Sequence, residues 1–387
     1  MKFDFDKEIE RHHTNSVKWD RLNMEDVIPL WVADMDFQTA PCIIDALRKR
    51  VEHGVFGYTQ VPDSYYEATI NWFKRRHNWE IKASDILYTT GVVPAVSAII
   101  KALAQPGDKV IIQTPVYNCF FSSIRNNGCE ASENSLIYKD NTFFIDFEDL
   151  ERRAADPKAK LLLLCNPHNP SGRVWNYEEL TKIYEICKKH NVIVVSDEIH
   201  NELVYPPHVY IPFGSLSEEI MERSVICTSA SKSFNIAGLQ IANIMCRDKD
   251  MRDKIDRAIN INEICDVNPF GVVGTIAAYN EGEEWLLALI DYLKGNYEFL
   301  KDYFHKELPE FPVVKLEGTY LVWVDCRKLG INSQELVEKL IREGGVWLNP
   351  GAMYGSDGEG FLRINIACPR ARLEEGLRRI KKFFSKL

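Results

Sequence analysis

The chain predicts an α/β layered fold on a largely parallel sheet, and three features of the sequence predict it. Six short runs rich in Val, Ile and Leu do not alternate with polar residues, as expected of strands covered on both faces. Helical patterns separate them. Three polar clusters each follow an apolar run, placing polar side chains on the ends of buried strands: Asn166-Pro167-His168-Asn169-Pro170-Ser171-Gly172, Ser196-Asp197-Glu198-Ile199-His200 and Ser229-Ala230-Ser231-Lys232.

From the N-terminus, the expected strands are Asp85–Thr90, Lys109–Gln113, Lys160–Cys165, Asn191–Ser196, Ser224–Thr228 and Ile241–Cys246. Between them, Leu180, Ile183, Tyr184 and Cys187 fall at helical spacing and build one apolar stripe. The C-terminal third reads differently. A long helix is expected around Glu283–Leu308, strands at Val313–Lys315, Tyr320–Asp325 and Phe361–Ala367, and helices at Ser333–Glu343 and Ala371–Phe384. In the last of these, Leu373, Leu377, Ile380 and Phe384 keep helical spacing. A chain of 387 residues exceeds one ordinary core. The expected division is an N-terminal arm and part of a small domain at 1–49, a large domain at 50–285, and the rest of the small domain at 286–387.

A hydrophobic share of 45% and a charged share of 27% are those of a soluble globular protein. The net charge of -9, with no basic stripe, argues against a nucleic-acid role, because phosphate backbones are bound by basic surfaces. The acidic start is no signal peptide, and no apolar stretch is long enough to cross a bilayer, so no membrane role is expected. Ten cysteines without a C-x-x-C pair read as reduced thiols in a cytoplasmic protein, not as disulfides or a metal site.

The chemistry lies in the polar clusters. An amine, a carboxylate and an amide converging at strand ends suit an aldehyde cofactor with an aromatic nitrogen, which points to pyridoxal 5′-phosphate (PLP). Lys232 is the candidate Schiff-base lysine, since an imine needs a neutral amine and a partly desolvated pocket provides one. Asp197 ends an apolar run, where its carboxylate would keep a pyridine nitrogen protonated; a helix cap is the plainer alternative. If the following segment turns helically, His200 shares the face of Asp197 and supports that carboxylate or reaches a cofactor oxygen; a solvent-exposed or core-satisfied histidine is the alternative. Asn169 sits in a loop stiffened by two prolines, where its amide would donate to a phenolate oxygen; a plain turn is the alternative. Gly91, Val92 and Val93 end a strand and open a helix with Pro94 in its first turn, a ready phosphate site or an ordinary β–α turn. Arg363 is a charge inside a strand-like run, suited either to a substrate carboxylate or to an internal salt bridge. Tyr117 would stack on a flat ring or pack as any aromatic, and Tyr58 is only suggestive. No dinucleotide or P-loop glycine pattern occurs.

Together these segments resemble the fold-type I PLP-dependent enzymes, the class I/II aminotransferase superfamily, over nearly the whole chain and in the family's order. Trp31-Val32-Ala33-Asp34-Met35-Asp36-Phe37, Ser196-Asp197-Glu198-Ile199-His200 and Ser231-Lys232-Ser233-Phe234-Asn235-Ile236-Ala237-Gly238-Leu239-Gln240 are similar to the cystathionine β-lyase (C–S lyase) branch. The resemblance implies a mostly parallel sheet covered by helices, with a smaller α/β domain from both chain ends. It implies that Lys232 both joins the cofactor and removes the Cα proton, that Asp197 pairs with the ring nitrogen, and that Asn169 and His200 lie near the ring oxygen. Tyr117 would stack on the ring. The amides of Val92 and Val93 with Ser229 would hold the phosphate, and Tyr58 would reach the phosphate of a neighbouring subunit in a homodimer with shared active sites. Arg363, helped by the backbone at Ala33 and by Asn169, would bind the carboxylate of a small amino-acid substrate. Two departures from the broad aminotransferase pattern, Gln240 in place of a phosphate-binding arginine and His200 in place of a tyrosine, fit the lyase branch. The implied activity is carbon–sulfur β-elimination from cystathionine or a related cysteine conjugate. The alternatives are an aminotransferase and, from another class, a non-catalytic PLP-binding regulator.

Overall fold

A computed structural model describes residues 3–22, 24–261 and 267–387. Seven strands form the central sheet: β1 (Ile86–Thr89), β2 (Lys109–Ile112), β3 (Glu130–Glu133), β4 (Ala159–Cys165), β5 (Ile193–Asp197), β6 (Ser224–Thr228) and β7 (Ala242–Met245). Their spatial order is β1-β7-β6-β5-β4-β2-β3. All neighbours are parallel except at β7, which runs antiparallel to both β1 and β6. The carboxyl ends of β1, β2, β4, β5 and β6 therefore share one edge, the place where open α/β sheets gather ligands.

The non-alternating strands are covered on both faces, as their sequence requires. Leu161, Leu163, Val195, Val225 and Cys227 pack in one core layer against the helix Val92–Leu103. Leu162, Leu164, Val194 and Ile226 face the opposite layer, with Leu180, Ile183 and Cys187 of the helix Tyr177–Lys189. That helix begins with a capping box, in which Asn176 accepts from the Glu179 amide and Glu179 accepts from the Asn176 amide.

The C-terminal third contributes β8 (Leu321–Asp325), β9 (Asn349–Pro350) and β10 (Phe361–Asn365), in the order β8-β10-β9 and antiparallel throughout. The helix Arg370–Phe384 buries Leu373, Leu377, Ile380 and Phe384, the stripe its spacing predicts. The long helix runs over Glu283–Glu307. One expectation needs correction. Val313–Lys315 is not a strand: only Val313 makes an isolated bridge, to Val324, because Phe311 and Val314 turn inward on a loop. The expected helix at Ser333–Glu343 is present: an α-helix over Ser333–Lys339 continues as a wider π-helix over Leu340–Gly344, ended by Gly345 in the left-handed region (φ 66°).

Segment 31–37 threads between the two sheets. Its ends are fixed by backbone bonds, from Leu30 to Trp347 on one side and from Asp36 to Ala367 on the other. A buried charge cluster fastens it further: the Asp36 carboxylate accepts from Lys18 (3.0 Å), Arg11 (2.8 Å) and the Trp19 indole (3.0 Å). Among the described residues no helix is long and apolar enough to cross a membrane, no group of side chains is arranged to hold a metal ion, and the described cysteines are unpaired.

Candidate active site

The polar clusters meet at the carboxyl edge of the central sheet. Asp197 closes β5, and its carboxylate accepts from the Ile199 amide at 3.1 Å. No helix follows, so Asp197 is not a helix cap. Burial pushes its acid up to about 6, against the opposing influence of that amide and of Lys232. The group is therefore ionised at neutral pH while buried. Such a charge asks for a cationic partner.

Lys232 lies on the turn after β6, where its amine donates to the Ala33 carbonyl at 2.6 Å. Burial draws it down to about 8, with Arg363 adding to the fall and Asp34 and Asp197 opposing it. Roughly a tenth of the amine is neutral at pH 7, far more than for an exposed lysine.

Arg363 sits in the middle of β10, 4% exposed. Its guanidinium donates to the Asn169 side-chain oxygen (3.1 Å) and to the Trp31 carbonyl (2.8 Å), and lies 4.9 Å from the Tyr354 ring centre. Nε has no partner, and among the described residues no carboxylate pairs with it. Among the described residues, then, the salt-bridge alternative finds no partner. A buried, always-charged group held only by neutral acceptors is a ready site for an anion.

Asn169 is buried, and its side-chain oxygen is the one that Arg363 uses. His200 is also buried, edge-on to Tyr320 with ring centres 6.0 Å apart. Its segment is a turn, not a helix, so it does not brace Asp197; the Ile199 amide does so instead. Its Nδ1 has no partner, and burial lowers its basicity well below the usual range, so the ring is neutral. Tyr117 is half-buried. Its phenol is raised well above its ordinary value by burial, then by Cys119 and Asp197.

The helix Val92–Leu103 begins directly after Gly91. The amides of Val92 and Val93 lie in its first turn, where a helix leaves N–H groups without partners of its own. Gly91 is extended (φ 165°) and a side chain there would meet only Pro94, so only a ligand would demand glycine. Ser229 is committed: its hydroxyl donates to the Ile241 carbonyl at 2.7 Å and lies 2.7 Å from the Ser231 hydroxyl. Gln240 is exposed, on a left-handed residue (φ 50°). Tyr58 stands 96% exposed.

Several residues of the cleft escaped sequence reasoning. Tyr320 donates to the Ala33 carbonyl at 2.9 Å, Asn235 grips Met35 and Phe37, and Asn365 donates to the Val32 and Asp34 carbonyls. Asn235 lies in the same quoted motif as Lys232, the one signal that could have found it.

Comparison with known proteins gives the family. The model for aminotransferase class I and II matches residues 25–380. The chain belongs to that family. Cystathionine β-lyase PatB of Bacillus subtilis is 42% identical over 98% of this chain and 100% of its own length. Among solved structures, cystalysin from Treponema denticola, which contains a pyridoxal 5′-phosphate cofactor, superposes with a TM-score of 0.96 at 36% identity, covering 100% of both chains. The PLP-bound C–S lyase of Staphylococcus hominis gives 0.93 at 32% identity, covering 99% of each. PatB and the Staphylococcus hominis protein carry the lyase names that the motif resemblance implied.

Proposed function

We propose that the protein is a PLP-dependent carbon–sulfur β-lyase that cleaves cystathionine or a related cysteine S-conjugate to a thiol, pyruvate and ammonia. The observation that carries this reading is the convergence of Lys232, Asp197 and Arg363 in one buried cleft, each carrying a charge that the described residues leave short of a full counterpart. The PLP-containing relatives support the cofactor, and their names support the lyase over the aminotransferase.

The residues fit the cofactor. Lys232 supplies the amine, Asp197 the buried carboxylate for a ring nitrogen, and the unpartnered Nδ1 of His200 and the Asn169 side chain polar contacts for a ring oxygen. The first-turn amides of Val92 and Val93 suit a phosphate. Ser229 joins them only if its hydroxyl leaves Ile241. When bound, pyridoxal phosphate supplies an aldehyde for amines to condense with and a ring that withdraws electrons from the substrate carbon.

The chain's own groups do the rest. Arg363 takes the substrate carboxylate with its free Nε and the fork it now lends to Asn169 and Trp31. That fixes the amino acid beside Lys232, whose depressed basicity leaves a neutral fraction to accept the Cα proton. Asp197, ionised above about pH 6, holds positive charge at the ring nitrogen throughout. Tyr117 would flank the ring, half-buried near Asp197.

The same reading includes a homodimer in which Tyr58 completes the partner's phosphate site. Its near-total exposure supports this, in a segment where Val55 and Phe56 are exposed as well. It also includes the three-part division at residues 49/50 and 285/286, and a cytoplasmic location. An absorbance scan of purified protein followed by a pyruvate assay with L-cystathionine tests the reading. Pyruvate formed without any added keto acid supports the lyase. Turnover that depends on stoichiometric keto acid supports the aminotransferase instead, and PLP binding without turnover of any amino acid supports a regulator.

A further inference from the structure

We propose that Asn235 and Tyr320 are positioning residues that hold the Ala33 carbonyl against the Lys232 amine, making segment 31–37 a frame that sets the lysine relative to Arg363. Among the described residues, the backbone bonds that tie this segment down are at its ends, through Leu30 and Asp36. Between those points, side chains hold its carbonyls one after another. Arg363 donates to Trp31, Asn365 to Val32 and Asp34, Tyr320 to Ala33, and Asn235 to Met35 and Phe37.

Asn235 grips in both directions, because its Oδ1 also accepts from the Met35 amide at 3.0 Å. It lies three residues after Lys232 on the same turn, in the left-handed region (φ 55°), where Asn is among the few tolerated side chains. The lysine and its clamp are thus parts of one rigid loop. The Ala33 carbonyl receives Lys232 at 2.6 Å and Tyr320 at 2.9 Å. The carbonyl is an acceptor for an ammonium that has left or not yet joined its covalent partner. The same segment bears the Trp31 carbonyl that orients Arg363, so proton acceptor and carboxylate site are registered on one strip of backbone.

The charged and titratable groups around Lys232 are Asp34 from this segment, Asp197 from β5, Arg363 from β10, Cys119, His200 and Tyr320. Asp34 is itself held by Arg11 at 2.8 Å. None of them replaces a carbonyl in hydrogen-bond contact. Losing that acceptor while burial persists disfavours the ammonium.

The inference rests on Lys232 being the reacting lysine, and the assay keeps the two apart by using cofactor-free protein. Lys232 is labelled competitively with acetic anhydride across pH, and its peptide is quantified by mass spectrometry. In Asn235→Gly, which keeps the left-handed backbone and removes the grip, the labelling midpoint falls by about one unit, a tenfold change, as for loss of one hydrogen bond to a charged group. Tyr320→Phe moves it in the same direction, and serves alone if Asn235→Gly does not fold. A midpoint that stays at the unsubstituted value in either folded variant overturns the proposal, since a purely structural role lowers stability without moving this titration. Failure of the unsubstituted protein to condense with pyridoxal phosphate at Lys232 overturns the proposed function instead, and leaves the labelling result standing.

Discussion

Arg363 offers the sharpest test of substrate recognition. Its guanidinium is buried, makes two bonds to neutral acceptors and has a free Nε, so a substrate carboxylate meets a charge already desolvated at the protein's expense. Removing one partner of a buried, hydrogen-bonded charge pair costs about 2–5 kcal/mol. Taking about 3 kcal/mol, Arg363→Met lowers kcat/KM roughly a hundredfold. Most of the loss falls on KM, because the carboxylate is bound before and during reaction alike. Arg363→Lys keeps the charge but not the planar fork, and retains only part of the rate. The assay is steady-state pyruvate formation from L-cystathionine, with absorbance confirming that each variant still binds pyridoxal phosphate. A second arm compares binding of L-cystathionine with that of its analogue lacking the α-carboxylate. The unsubstituted protein discriminates strongly between the two, and Arg363→Met loses most of that discrimination. If Arg363→Met keeps kcat/KM within a few-fold, or discriminates as well as the unsubstituted protein, the carboxylate is bound elsewhere and the reasoning fails.

Other expectations follow from the same geometry. In cofactor-free protein, Asp197→Asn raises stability at pH 7.5, because a carboxylate whose folded value is raised from 3.8 to about 6 opposes folding once ionised. About two units correspond to at most roughly 3 kcal/mol. The gain fades as pH falls from 6 towards 4, where folding no longer has to bury a charge, and urea unfolding at the two pH values measures it; an equal gain at both contradicts the assignment. The same substitution cuts turnover by orders of magnitude, since the ring nitrogen loses its charged partner. Mixing inactive Tyr58→Ala and Lys232→Ala proteins under subunit exchange restores activity towards about a quarter of the unsubstituted value, because half the dimers then contain one complete site of two. No recovery, with exchange verified by mass spectrometry, argues against shared sites.

Much of this was legible in the sequence, for physical reasons. Doubly covered strands must be apolar throughout, so β4, β5 and β6 were visible as non-alternating runs, and the polar residues after them had to lie on one edge once the strands were parallel. Lys232, Asp197 and Arg363 announced themselves as charges beside buried runs. Three things were less legible. Val313–Lys315 has strand-like composition, yet only Val313 pairs, because strand pairing depends on a neighbour that local sequence does not describe. His200 was expected to turn onto the Asp197 face, but a backbone amide two residues along had already taken that carboxylate. The clamp by Asn235, Asn365 and Tyr320 joins residues about 200 to 330 positions apart from their partners, a distance at which no periodicity gives warning.

The central claim is that Lys232 is the covalent partner of the cofactor, and one measurement addresses it directly. Protein saturated with pyridoxal phosphate is reduced with borohydride, digested and mapped by mass spectrometry. The phosphopyridoxyl mass is expected on the peptide containing Ser231-Lys232-Ser233, with the visible absorbance band lost in Lys232→Ala. A stoichiometric label on another lysine, or none at all, contradicts the account.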